Sequence, residues 1–385
     1  MATYYWVGGS GIWDDSTKTN WATSSGGAGG NGPPTNADTI NFDANSGTAA
    51  TVTVAATAVS LNTTINKSDI NLSLSGSPTL CTAAGTLTLT TGAITLGANT
   101  LTIGAINSNN TNTRSINFGT GQIILTGNAR NIGAFQTVTG FSYSGTSKIV
   151  ANYSGATGTR SISYGGAGGG AESNALNFYI TAGTDAFTIS GSGSYRTIDF
   201  TGFAGTLNNG GRTVYGNFII SSGMTLQAGT SITTFAATSG TQQITTNGVT
   251  IDFPLAFNAT GATVAFQDAL TQGSTRAFTI TNGTVQLKAG VTSTVGVFAT
   301  SGTNQKYLQS TSAGSQATLS QASGTVNANY LTIRDIAATG GATWNAFVES
   351  GNVNNGNNSG WDFFGPALDA EFSVALRSFT ERRSF

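Results

Sequence analysis

Short stretches of strict polar–apolar alternation, each closed within a few residues by Gly, Asn or Ser, constrain this chain more than any other feature. Thr51-Val-Thr-Val54, Thr86-Leu-Thr-Leu-Thr90, Ala93-Ile-Thr-Leu96 and Thr100-Leu-Thr-Ile103 are examples. A period of two places one face in an apolar environment and the other in water, the signature of a half-buried strand. β-Branched Thr and Ile favour the extended backbone because their χ1 freedom is restricted there. No stretch carries a helical period of 3.6. Strands of four or five residues are unstable alone and must stack. Two all-β architectures satisfy that demand: a parallel β-helix (β-solenoid) of stacked coils, or tandem antiparallel β-sandwiches.

Internal echoes favour the solenoid. Thr113-Arg-Ser-Ile-Asn-Phe118 returns as Thr159-Arg-Ser-Ile-Ser-Tyr164 and Tyr195-Arg-Thr-Ile-Asp-Phe200, and more weakly as Thr275-Arg-Ala-Phe-Thr-Ile280. Ser222-Gly-Met-Thr-Leu-Gln-Ala-Gly229 resembles Asn282-Gly-Thr-Val-Gln-Leu-Lys-Ala-Gly290, and Ala237-Thr-Ser-Gly-Thr-Gln242 resembles Ala299-Thr-Ser-Gly-Thr-Asn304. The offsets differ, as expected when corners of different length leave successive coils. With roughly 20–25 residues per coil the repetitive region makes about a dozen coils, a rod on the order of 55–60 Å at strand spacing.

Four regions are expected. Residues 1–48 hold Trp6, Trp13 and Trp21 and read as an aromatic N-terminal cap. Residues 49–335 are the solenoid body, 336–365 a terminal coil closed by aromatics, and 366–385 a charged tail with interleaved apolar residues. In that tail Phe372, Leu376, Arg377, Phe379, Arg382 and Arg383 are candidate docking residues, able to add a strand to a partner's sheet edge.

Composition excludes several functions. Charged residues make up 8% of the chain, the net charge is −1 and His is absent. A near-neutral chain lacks the electrostatic footprint for nucleic acid. Without His, neither a Ser-His-Asp nor a Cys-His arrangement can be built, and the commonest metal ligand is missing. One cysteine, Cys81, forms no intramolecular disulfide and reads as a small apolar residue. No apolar run is long enough to span a membrane. The first residues, Met1-Ala-Thr-Tyr-Tyr-Trp6, lack the basic and apolar regions of a signal peptide, so export by the general secretory route is not expected. No cofactor and no metal are expected.

Paired carboxylates could still hydrolyse glycosidic bonds. Asp14, Asp15, Asp38, Asp43, Asp185, Asp199, Asp252, Asp268 and Glu349 are the candidates, and solvated surface roles are expected for them. The first four could ligate a hard cation, but the regular Gly-Asp repeat of calcium solenoids is missing. Tyr5, Trp6, Trp13 and Trp21 could form a sugar-stacking platform; packing of the cap over the first coil is the expected alternative. The arginines of the echoes could line a ligand-binding stripe; solvated positions beside turns are the expected alternative.

Two resemblances add to this reading. Tyr5-Trp-Val-Gly-Gly-Ser-Gly-Ile-Trp13, with Asn20-Trp21, Pro33-Pro34 and Asp38-Thr-Ile-Asn-Phe-Asp43, is similar to the cap that opens bacterial β-helix passenger and adhesin domains. Asn112-Thr-Arg-Ser-Ile-Asn-Phe-Gly-Thr-Gly121, Ile198-Asp-Phe-Thr-Gly-Phe-Ala-Gly-Thr-Leu207 and the ending Leu331-Thr-Ile-Arg-Asp335 with Gly360-Trp361-Asp-Phe363 resemble structural and fibre proteins of tailed bacteriophages. That resemblance implies a non-enzymatic virion component, a tail fibre, spike or head decoration, assembled in the host cytoplasm. Its expected partners are other virion proteins, further copies of itself (a trimer before other states) and a host-surface glycan. A bacterial surface adhesin and a polysaccharide-degrading tailspike are the alternatives.

Overall fold

The computed structural model describes residues 1–128, 131–135, 137–153, 158–165, 171–190, 193–208 and 210–365. The docking residues expected at Phe372, Leu376, Arg377, Phe379, Arg382 and Arg383 lie outside them. Short strands wind into parallel stacked coils, a β-solenoid of about 14 turns. The helical content of the described residues is two single 3-10 turns, Glu172–Asn174 and Val348–Ser350. The described strand pairings are parallel, apart from one antiparallel contact in the cap that sets Tyr5 opposite Ala22 and Trp6 opposite Trp21. Parallel pairing beyond that contact is incompatible with antiparallel sandwiches.

The chain divides into two compact units, residues 1–227 and 228–385. The division falls inside the stretch read from sequence as one body.

In the N-terminal unit the alternating residues stack as one column per face. Val52, Leu72, Ile94 and Ile116 occupy equivalent positions in successive coils, and each is buried. Their neighbours Thr51, Asn71, Ala93 and Ser115 point outward at the same rungs. Each inward residue therefore covers the apolar face of the one below, which releases roughly 1.5–3 kcal/mol per fully buried large side chain. The C-terminal unit repeats the arrangement with Val264, Val285, Leu308 and Ile333.

Coil length varies as the echoes imply. Thr325 pairs with Thr343, 18 residues on, whereas Ile149 pairs with Phe178, 29 residues on. Strands are longer than the alternating segments alone suggest: Asn62–Leu74 and Leu255–Phe266 each run around a corner, so two segments join into one strand. Their registers shift at those corners, between Asn66 and Asn71 and between Asn258 and Thr263.

The echo arginines correct the sequence reading. Arg114 and Arg160 are 1% and 0% exposed, inside the coils rather than in water. The reason is parity: Arg114, Ile116 and Phe118 alternate, so the arginine shares the inward face. Arg114 lies at the same rung as Gly92 of the preceding coil, which leaves it room. All of its donors are used. Nε donates to Ser108 Oγ at 2.6 Å, Nη1 to the Asn112 and Thr139 carbonyls at 2.8 and 3.0 Å, and Nη2 to those of Ser108 and Thr137 at 2.6 Å each. Arg160 pairs with Asp185, also buried, and its guanidinium lies 3.7 Å over the Tyr153 ring. In the third echo a bulge intervenes: Tyr195 points inward, so Arg196 turns out and reaches the Glu172 carbonyl at 3.2 Å. In the fourth, Arg276 bonds Asp252 at 2.7 Å.

Candidate functional site

The N-terminal aromatics form one nest. Trp6 and Trp21 meet edge to face with centroids 4.9 Å apart, Trp13 and Trp21 at 5.5 Å, and Phe42 lies about 6 Å from all three. The three indoles are fully buried and Tyr5 is half-buried. With their faces spent on one another, Trp6, Trp13 and Trp21 leave no open ring for a sugar. The nest plugs the first coil, and Asp38 fastens it. Its carboxylate accepts the Ala2 N–H at 2.6 Å, the Thr35 N–H at 2.9 Å and the Thr35 hydroxyl at 2.7 Å. Burial alone would raise the Asp38 pKa, but these hydrogen bonds outweigh it and hold the carboxyl below its ordinary range.

Most of the other carboxylates are likewise occupied locally, while Asp15 is exposed. Asp14 caps the turn to Thr17, Asp43 the turn to Ser46, and Asp199 accepts the Thr201 N–H at 2.8 Å. Asp185 and Asp252 are paired with arginines. Asp268 receives the backbone N–H groups of Thr246 and Asn247. Glu349 is exposed. Among the described residues no three potential ligands among Asp, Glu and Cys gather as a metal site would require.

Two further buried cations shape the interior. Burial pushes Arg212 down to about 10. Lys306 alternates inward with Leu308, and burial lowers its pKa also. Its ammonium donates to the Gly302 and Asn329 carbonyls at 3.2 and 3.1 Å.

The feature that sequence reading missed is a cleft of about 470 Å³ in the C-terminal unit, over the corners of successive coils. It is lined by Thr263, Asn282, Thr284, Asn304, Gln305 and Tyr307, with Gly261 and Gly283 at the bends. Gly283 has φ +83°, and a Cβ there would meet the Ala259 carbonyl closer than the 3.0 Å that real Cβ atoms keep. Glycine thus lets two coils close up at the corner, which sinks the floor of the cleft.

Register builds the wall. Thr241, Thr263, Thr284, Tyr307 and Thr332 stand at one outward position of successive coils. Beside them the amides form a ladder: Asn282 Nδ2 donates to Asn258 Oδ1 at 2.5 Å, and Asn304 Nδ2 to Asn282 Oδ1 at 2.7 Å. Gln305 Nε2 donates to Thr332 Oγ1 at 2.9 Å. Tyr307 is 42% exposed, an aromatic in a row otherwise of threonines.

The signals were present but unreadable singly. Asn258, Asn282 and Asn304 are one coil apart, yet only the register shows which of the chain's many asparagines align. No family model, curated protein or solved structure matches the chain.

Proposed function

We propose that the protein is a non-enzymatic structural component of a tailed-phage virion, a tail fibre, spike or head decoration, that presents a β-solenoid toward the host surface. The observation that carries this reading is the parallel winding of stacked coils within each unit. Coil follows coil with aliphatic and aromatic residues inside and uncharged Thr, Asn and Gln outside, a design for a stiff, repetitive scaffold. The carboxylates support it further, since most of the candidates hold a turn, a backbone amide or an arginine. The bacteriophage resemblance of the echoes supplies the virion.

In this reading the partners are other virion proteins, sibling copies in a homotrimer and a host-surface glycan, and residues 366–385 dock the chain on the particle. Assembly takes place in the host cytoplasm. Immunogold labelling of purified virions, with antibody raised against the chain, tests the proposal: gold on tails or heads is expected. Particles that carry neither the label nor the chain's peptides by mass spectrometry refute it. Deletion of residues 366–385 should abolish incorporation, and unchanged incorporation would remove the docking role of the tail.

A further inference from the structure

We propose that the cleft over Thr263, Asn282, Thr284, Asn304, Gln305 and Tyr307 binds a neutral oligosaccharide, a short chain of hexopyranoses lying along the stack of coils. The inference rests on the attachment role proposed above, and its readout is separate from the location of the chain.

The chemistry of the lining selects the ligand. Its residues are uncharged. The nearest cation in sequence, Lys306, is turned inward and is 0% exposed, so its charge is spent on carbonyls within the coils. A phosphate or uronate would find no counter-charge among these residues. What the cleft offers is a mixture of donors and acceptors. The hydroxyls of Thr263 and Thr284 make no hydrogen bond among the described residues, and each ladder amide keeps outward valences beyond its neighbour. Sugar hydroxyls, which donate and accept at once, match that mixture.

Tyr307 supplies the second element. An aromatic ring left 42% exposed in a row of threonines gains little from burial in the free protein. A pyranose presents a flat face of C–H groups, and a ring beside hydrogen-bonding amides is where such a face stacks. The third element is preorganisation. The Asn258–Asn282–Asn304 ladder and the Gln305–Thr332 bond already orient the amides, so binding need not freeze them. The rungs repeat at about 4.8 Å, close to the advance per sugar of an extended pyranose chain. Successive coils therefore meet successive sugars. A shallow cleft of this kind binds weakly, and several copies on one particle would raise the avidity.

The test is titration of the full chain, by calorimetry and saturation-transfer NMR, with linear neutral hexasaccharides of gluco, galacto and manno configuration and with a hexagalacturonate. Saturable binding of at least one neutral hexasaccharide is expected, with the hexagalacturonate at least tenfold weaker. Tyr307→Ala should weaken binding about tenfold, equivalent to about 1.4 kcal/mol, while Tyr307→Phe, which keeps the ring, should stay within about threefold. Thermal melting should be unchanged in both variants. The proposal is overturned if no neutral hexasaccharide binds at millimolar concentration, if Tyr307→Ala binds as the parent does, or if the hexagalacturonate binds more tightly. Saccharide binding by a chain that is missing from virions would sink the virion reading and leave this site standing; gold-labelled virions without saccharide binding would do the reverse.

Discussion

Replacing Gly283 and Gly290 by alanine separates two costs that the solenoid keeps distinct. Both residues have positive φ, +83° and +73°. Alanine in that conformation costs roughly 1–2 kcal/mol, offset by about 0.4–1 kcal/mol from the stiffer unfolded chain. At Gly290 an added Cβ meets nothing within 4 Å, so Gly290→Ala should lose only about 1 kcal/mol. At Gly283 the Cβ collides with the Ala259 carbonyl and also comes within 3.1 Å of the Ala262 carbonyl. Both are backbone atoms of the preceding coil and cannot swing aside. The strands Leu255–Phe266 and Ala277–Leu287 must part, at about 0.5–1.5 kcal/mol for each ladder hydrogen bond lost. Two such bonds added to the conformational cost bring Gly283→Ala to about 2–4 kcal/mol. Urea unfolding followed by far-ultraviolet circular dichroism measures both variants. Equal losses, or a smaller loss at Gly283, would refute the claim that coil-to-coil approach, and not φ alone, demands glycine at this corner.

Three further outcomes are expected. Asp185→Asn leaves the Arg160 guanidinium buried without its counter-charge and should cost about 3–5 kcal/mol, whereas the double change Arg160→Met with Asp185→Leu should recover most of that loss in the same urea assay. Asp38, whose folded pKa lies below its unfolded value of about 3.9, contributes stability that is present above that value and lost as pH falls through the folded pKa; Asp38→Asn should flatten the fall in urea midpoint between about pH 5 and pH 3. Trp21→Ala empties the centre of the aromatic nest and should cost about 3–5 kcal/mol in the urea assay, whereas a surface role for Trp21 would limit the loss to about 0.5 kcal/mol.

Much of the fold was legible because the solenoid writes its period into the chain. Thr86-Leu-Thr-Leu-Thr90 states which face is inside, and the structure agrees: Leu87 and Leu89 are buried. The aromatic cap was legible for the same reason, since clustered tryptophans have few alternatives to mutual packing. The arginines were misplaced because charge was weighed above parity. Arg114 sits two residues before Ile116 and four before Phe118, which already assigns it to the inward face; what sequence does not show is the set of carbonyls at Ser108, Asn112, Thr137 and Thr139 that make such burial tolerable. The cleft was illegible for a different reason. Asn282, Asn304 and Tyr307 come together only through register, and register depends on corner lengths that vary from coil to coil. The tail residues Phe372 to Arg383 stand outside the described chain.

The unequal coil lengths, 18 residues at Thr325 and 29 at Ile149, show how tasks are shared between strand and corner. Strands keep step with their neighbours, while corners absorb every difference in length. A change of length at a corner therefore leaves the inward columns in place, except where a glycine such as Gly283 lies against the backbone of the preceding coil, and a change in a column is felt by the coils above and below. An insertion at a corner of this kind alters the surface and keeps the core as it is.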